Sequence, residues 1–388
     1  MVALACGSGA PSRSADKGKF RAMPPTRACR LRRRLTCSRI EQTVPTWDNW
    51  RSGTAAPEIH DADFANPRMR PISGRTHTEP MKLLVLGSAA GGGFPQWNCN
   101  CHNCDGVRQG RVRARPSTQS SIAVSVTGSD WVLFNASPDI HAQIRANPCL
   151  QPGRGLRDTG IAAVVLMDAQ IDHTTGLFML REGKPLDVWC TPQVREDLTC
   201  GNPVFEVLSH FCTVSWQPLR VAPPTAFTIP ALDGVRFTPV PLTSMAPPYS
   251  PHRHHAHPGD NIGVLIEEIA SGKKIFYAPG FGAMEPHLEP YLADADCVLL
   301  DGTFWTDDEM IQLGLSAKTA RAIGHLPQSG PDGMIALLSR FEKPRKVLIH
   351  INNTNPILDE DSAQRAELAR NGIEVAWDGM LIDTGDEP

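Results

Sequence analysis

The chain has 388 residues, with 38 Lys+Arg against 41 Asp+Glu and a formal net charge of −3. Hydrophobic residues make up 41% and charged residues 20%, which excludes a wholly disordered chain and offers no overall basic excess for nucleic acid. No apolar run reaches the roughly 18 residues of a spanning helix, so no membrane span is expected, and the length suits one large α/β domain or two small ones.

Charge is unevenly spread. Residues 1–80 hold 14 Lys+Arg against 7 Asp+Glu, a local +7, which leaves −10 for the remainder. This segment has eight prolines, the run Cys29-Arg30-Leu31-Arg32-Arg33-Arg34-Leu35 and no sustained apolar period. It cannot bury enough surface to offset its ordering entropy and reads as a disordered leader. A targeting peptide or basic arm would use the arginines. Against that, Asp48, Glu58, Asp61 and Asp63 spoil a transit peptide, and no positive–apolar–small signal order is present. Met81 opens a strong strand, as an initiator would, so residues 1–80 are expected to be a non-native start ahead of a domain spanning 81–388.

Strand-length apolar runs follow at 82–87, 121–126, 131–134, 161–167, 186–190, 235–240, 262–267, 274–278, 297–301 and 346–351. Helical patterns fall at 138–147 after Ser137, 203–211 after Asn202, 316–323 before Gly324, 331–341 after Gly330 and 359–371 before Gly372. Consecutive strands early, then strands interleaved with helices, predict two packed sheets with helices outside, a four-layer αββα arrangement. The proline-rich stretch 239–258 reads as a loop.

The first chemical signal is Asn98-Cys99-Asn100-Cys101-His102-Asn103-Cys104. Cys-x-Cys-x-x-Cys can wrap three thiolates round one face of a tetrahedral zinc, with a fourth ligand from elsewhere; disulfides at such separations are sterically awkward. The remaining cysteines of the domain lie in or beside apolar runs as small hydrophobes, and nothing suggests a secreted disulfide framework, so a reducing cytoplasm fits. The glycine-rich stretch from Gly87 to Gly93 lacks the spacing of a dinucleotide or P-loop motif and reads as backbone passing close to a site or ligand. The His252-Arg253-His254-His255-Ala256-His257 tract reads as a solvated, adventitiously metal-binding loop.

After the 161–167 strand comes Asp168-Ala169-Gln170-Ile171-Asp172-His173-Thr174-Thr175-Gly176. The pattern resembles the His-x-His-x-Asp-His-x-x-Gly loop of the metallo-β-lactamase fold, with Asp168 and Gln170 where two histidines usually sit. Together with the 93–101 stretch and His350-Ile351-Asn352-Asn353-Thr354-Asn355-Pro356, it resembles the PqqB family of pyrroloquinoline quinone (PQQ) biosynthesis. The similarity runs from Met81 to about Ile382.

The resemblance implies a metallo-β-lactamase-like α/β sandwich whose first metal site has lost its ligands. Besides Asp168 and Gln170, the stretch 241–245 offers no third His, and Gly280 stands where a bridging Asp is expected. Asp172, His173 and His350 remain as an active-site set, the two-His-one-carboxylate donors of mononuclear Fe(II) oxygenases; a second-shell pair left in a metal-free fold is the alternative. Asp301 is a candidate ligand or proton acceptor, with a loop-capping role open. His325 is a candidate to reach the site. Asn353, three residues after His350, stands where related phosphodiesterases have a fourth zinc ligand, with His102 or water as alternatives.

Further implications are Zn2+ at the cysteines, Fe2+ at the active site, and O2 with a Glu-Tyr-derived PQQ precursor, or PQQ itself, as partners. Arg181 or Arg253 would meet the precursor's carboxylates, and self-association is left open. The expected activity is hydroxylation of the tyrosine. A non-catalytic carrier assisting transport to the periplasm is the rival.

Overall fold

The computed structural model describes residues 80–182 and 185–385. The predicted leader, apart from Pro80, lies outside the described residues. Among the described residues no helix is long and apolar enough to cross a membrane.

Two sheets face each other. The first contains β1 (Lys82–Gly87), β2 (Ser121–Ser125), β3 (Trp131–Phe134), β4 (Ile161–Val165), β5 (Leu186–Cys190), β6 (Val214–Pro218) and β13 (Leu381–Asp383), in the order β13-β1-β2-β3-β4-β5-β6. The second contains β7 (Val235–Pro241), β8 (Ile262–Glu268), β9 (Lys274–Ala278), β10 (Cys297–Asp301), β11 (Arg345–Ile349) and β12 (Ile373–Val375), in the order β12-β11-β10-β9-β8-β7. β3 to β6 run parallel, as do β9 to β12, while β1, β2, β7 and β8 pair antiparallel.

Alternation along each strand builds the layers. Leu83 and Val85 point between the sheets with Val124, Phe134, Phe237, Val264, Tyr277 and Leu299. Leu84 and Leu86 point outward, where Ile140 of α2 (Ile140–Ala146), Val194 of α4 (Pro192–Glu196) and Leu208 of α5 (Val204–Ser209) cover them. Val298 and Leu300 are covered likewise by Leu292 of α6 (Glu289–Asp294), Leu337 of α8 (Met334–Leu338) and Leu368 of α9 (Ala363–Arg370). Both faces of the central strands β2, β3 and β10 are dry, hence their runs apolar at successive positions. The structure is the four-layer sandwich expected. Each such side chain contributes about 1.5–3 kcal/mol on burial.

Three expectations on elements are corrected. The 316–323 stretch forms only a 3-10 turn at Arg321–Ile323, because the Ala320 and Arg321 amides bond to Asp307 instead of to a helical carbonyl. The neighbouring α7 (Glu309–Gln312) carries the helix instead. The helix expected from 359 begins at α9, where Ser362 accepts from Arg365 N. The last strand stops at Ile349 instead of 351, because His350 has φ +62.

Parallel strands deliver their following loops to one end of the sandwich, the usual place for a ligand. The β4 loop leads into α3 (Ile171–Thr174) with Asp172 and His173; β9 leads to Gly280, β10 to Asp301 and Thr303, β11 to His350. The glycine loop after β1 ties these together: Ala90 N donates to Ile351 O at 2.9 Å, and Ile351 N to Ser88 O at 2.9 Å.

Candidate metal centre

Asp172, His173 and His350 converge, with ligand atoms within 4.8 Å of one another. His350 Nε2 lies 3.3 Å from Asp172 Oδ2, and His173 Nε2 lies 3.8 Å from the same oxygen. Gly91 makes room for that carboxylate, since a Cβ there would sit 3.2 Å from Oδ2.

His173 shows most directly that the site fits a metal. Its Nδ1 faces both Asp168 oxygens at 2.8 and 2.9 Å, while its buried Nε2 has no hydrogen-bond partner. A carboxylate on one ring nitrogen and an open lone pair on the other is the dress of a metal-ligating histidine. Burial alone would lower its affinity for a proton, but Asp168 and Asp172 outweigh that and raise it to about 9. Asp172 is held well below the usual carboxylate range by His173 and His350, despite burial that pulls the other way.

His350 Nδ1 lies 2.9 Å from Thr303 Oγ1, whose hydroxyl donates to Asp301. Asp301 is wholly buried and pairs with His325 Nδ1 at 2.5 Å. Asp301 therefore does not line the cavity as the sequence suggested a cleft-facing acid would; it reaches it through His325, which does. Burial opposes charging His325, yet Asp301 raises it above the ordinary histidine range. The ligand atoms of Asp301, His325 and His350 also lie within 4.8 Å of one another.

The three thiols of Cys99, Cys101 and Cys104 meet at the start of α1 (His102–Arg108), capped by Cys101, with sulfurs accepting from the amides of Gln96, Cys101 and Cys104. Burial pushes the Cys101 thiol up to about 12. Burial raises Cys99 too, but the surrounding donors bring it below the usual thiol value. Asn353 Nδ2 lies 3.1, 3.6 and 3.4 Å from the three sulfurs, in the fourth corner. A zinc ion would be met there by Oδ1, a half-turn of the near-symmetric amide. His102 is exposed and outside the cluster, so it is not the fourth partner.

Of the arginines, Arg253 lines the cavity and Arg181 does not. Arg181 donates to Phe178 O, pairs with Glu182 and lies over Phe211. Asp168 was visible in sequence only as the residue standing where the motif usually has a histidine, and the part of Thr303 carried no sequence signal.

A beta-lactamase superfamily domain matches residues 130–351. The chain is 63% identical over 304 residues to coenzyme PQQ synthesis protein B of Azoarcus sp. (strain BH72), covering 78% of this chain and 99% of that protein. It belongs to the coenzyme PQQ synthesis protein B family. Its relative of that name from Pseudomonas syringae pv. syringae (strain B728a) is 60% identical over 304 residues, covering 78% of this chain and 100% of that protein. A crystal structure of Zn(2+)-bound PqqB from Methylobacterium extorquens matches with a TM-score of 0.71 at 40% identity, over 78% of this chain and 99% of that one. A diphosphatase of the PhnP family, at TM-score 0.53 and 18% identity over 78% of this chain and 96% of that one, shares the fold.

At the positions where the dinuclear pattern has histidines, Asp168 is engaged by His173, and Gln170 Nε2 donates to Met245 O at 3.1 Å. Gly280 offers no ligand. Among the described residues the donor groups that converge are the three thiols, Asp172 with His173 and His350, and Asp301 with His325 and the same His350.

Proposed function

We propose that the chain acts in PQQ synthesis as a hydroxylase of the tyrosine ring in a Glu-Tyr precursor, with Fe(II) held by Asp172, His173 and His350 and a structural zinc by Cys99, Cys101, Cys104 and Asn353. The observation carrying this reading is the donor set: one carboxylate and two imidazoles meet while the neighbouring ligand positions are engaged or empty of donors. Fe(II) held by such a set would supply open positions for substrate and O2, the chemistry of ring oxygenation. A hydroxide bridged between two ions lacks its ligands here.

The protein's own groups do the rest. Asp168 fixes the His173 tautomer and orientation. Thr303 holds His350 and Asp301 together. His325, backed by Asp301, has Nε2 as its remaining ring nitrogen and in its neutral form takes the proton displaced from the ring carbon, with Asp301 stabilising the imidazolium that results. One atom of O2 enters the ring C–H bond, the other ends in water, and a two-electron donor supplies the balance. The free thiols suit work in the cytoplasm, where they stay reduced.

Incubation of iron-loaded protein with Glu-Tyr under air and a reductant is expected to add one oxygen to the dipeptide by mass, and His173→Ala to abolish this. Iron-loaded protein that binds the dipeptide without adding oxygen would replace the hydroxylase with the carrier of PQQ or its precursor.

A further inference from the structure

The cavity before the metal ligands has a volume of about 430 Å3, within the roughly 300–1,000 Å3 of small-molecule pockets. Its acids are all engaged: Asp168 by His173 and the Gln170 amide, Asp172 by His350 and His173. Its arginine and lysine are not. Among the described residues the Arg253 side chain donates only to Ala246 O and makes no ion pair, and the exposed Lys318 ammonium makes neither. On the same lining, Asn261 sits at the mouth of β8, 4% exposed, its backbone carbonyl accepting from Leu242 N at 3.0 Å. Its buried Nδ2 has no partner.

A buried amide donor is normally satisfied, and one left open on a cavity wall marks where a ligand's acceptor goes. An N–H donor and two unpaired cations cannot ligate a metal ion. They recognise an anion, and guanidinium and amide N–H groups match a carboxylate. We propose that Asn261, Arg253 and Lys318 form a carboxylate subsite that holds an amino-acid-like substrate by its acid groups and turns its ring toward His325 and His350. The assignment deepens the reading of the substrate as a Glu-Tyr unit and rests on it: two carboxylates meet two cations, with Asn261 Nδ2 as the directional donor.

Calorimetry on the full chain under anaerobic conditions tests this with Glu-Tyr and its carboxyl-terminal amide. Wild type should bind the acid at least about tenfold more tightly than the amide, the usual scale of a charge-assisted pair. Arg253→Gln should shrink that ratio to about twofold while tyramine, which has no carboxylate, binds as before. Arg253 also braces its loop through Ala246, so Lys318→Glu, at an exposed position, serves as a second variant and should weaken Glu-Tyr but not tyramine. Equal binding of acid and amide by wild type, no binding of either, or a ratio unmoved by both substitutions overturns the subsite. Discrimination that persists in a protein adding no oxygen removes the hydroxylase and leaves the subsite standing.

Discussion

His173 meets two opposed demands, since a ligand must shed the proton that its neighbours favour. Asp168 and Asp172, working against burial, raise it to about 9. A raised group stabilises the metal-free fold fully below its unfolded value of 6.5, and that contribution is lost as pH rises through about 9. Metal affinity has the reverse slope: it should climb with pH and level off above about 9, once little proton remains to displace. Asp168→Asn separates the two effects. Removing the carboxylate lowers the proton affinity, so the climb should move to lower pH. The plateau itself should fall by about 10–100-fold, the cost of losing a ligand's outer partner. Titrating metal affinity against pH in both proteins checks this, and an unchanged plateau would remove Asp168 from the site's support. Of the candidate ligands, the Cys-x-Cys-x-x-Cys cluster could be read from residue type and spacing, whereas Asp172, His173 and His350 came from the resemblance to the metallo-β-lactamase motif. The part of Thr303 could not be read, because its hydroxyl joins Asp301 to a His350 that lies 47 residues on.

The segment after β11 serves both ion sites. His350 turns with φ +62 toward Asp172, Ile351 pairs with the glycine loop, Asn352 lines the cavity and Asn353 faces the sulfurs. Asn103 Nδ2 on α1 donates to Asn353 O and Asn355 O at 3.1 and 2.8 Å, so the cysteine helix grips this segment directly. Cys101→Ser is therefore expected to lose the thiol-bound zinc and weaken metal binding at Asp172, His173 and His350 by about tenfold, though it touches none of them. Metal analysis by site, with His173→Ala marking the other site, checks it; intact affinity after zinc loss would show the segment holds its shape unaided. Elements were unevenly readable for a related reason. Three strands escaped the sequence, β6, β12 and β13, and all are sheet edges with mixed or partial burial. An edge strand lacks the two-sided apolar run that betrayed β4 or β10. The 316–323 stretch failed oppositely: helical composition was overruled by bonds to Asp307.

The centre straddles the sandwich. Asp172 and His173 follow β4 of the first sheet, and His350 follows β11 of the second, beside the link from Ile262 N to Met167 O at 2.9 Å. An ion held by all three residues joins the two halves and binds only the folded state, so it should stabilise the whole domain by about 2.7 kcal/mol at a hundredfold excess over its dissociation constant. Packing between the sheets makes a separate contribution. Leu83 is fully buried there, near the β13 pairing and away from the site end of β1. Leu83→Ala should cost about 2–5 kcal/mol through lost transfer energy and the cavity left behind. Sites without shared partners add, so the gain from the ion should survive that substitution within about 0.5 kcal/mol. It should vanish in His173→Ala, which removes a candidate ligand but no member of the cluster between the sheets. Thermal unfolding with and without metal, in wild type and both variants, measures all these terms. If the ion's gain shrank with Leu83→Ala as well, the two sheets would be holding the ligands in register through their packing, and the centre would be a consequence of the core instead of an independent clasp.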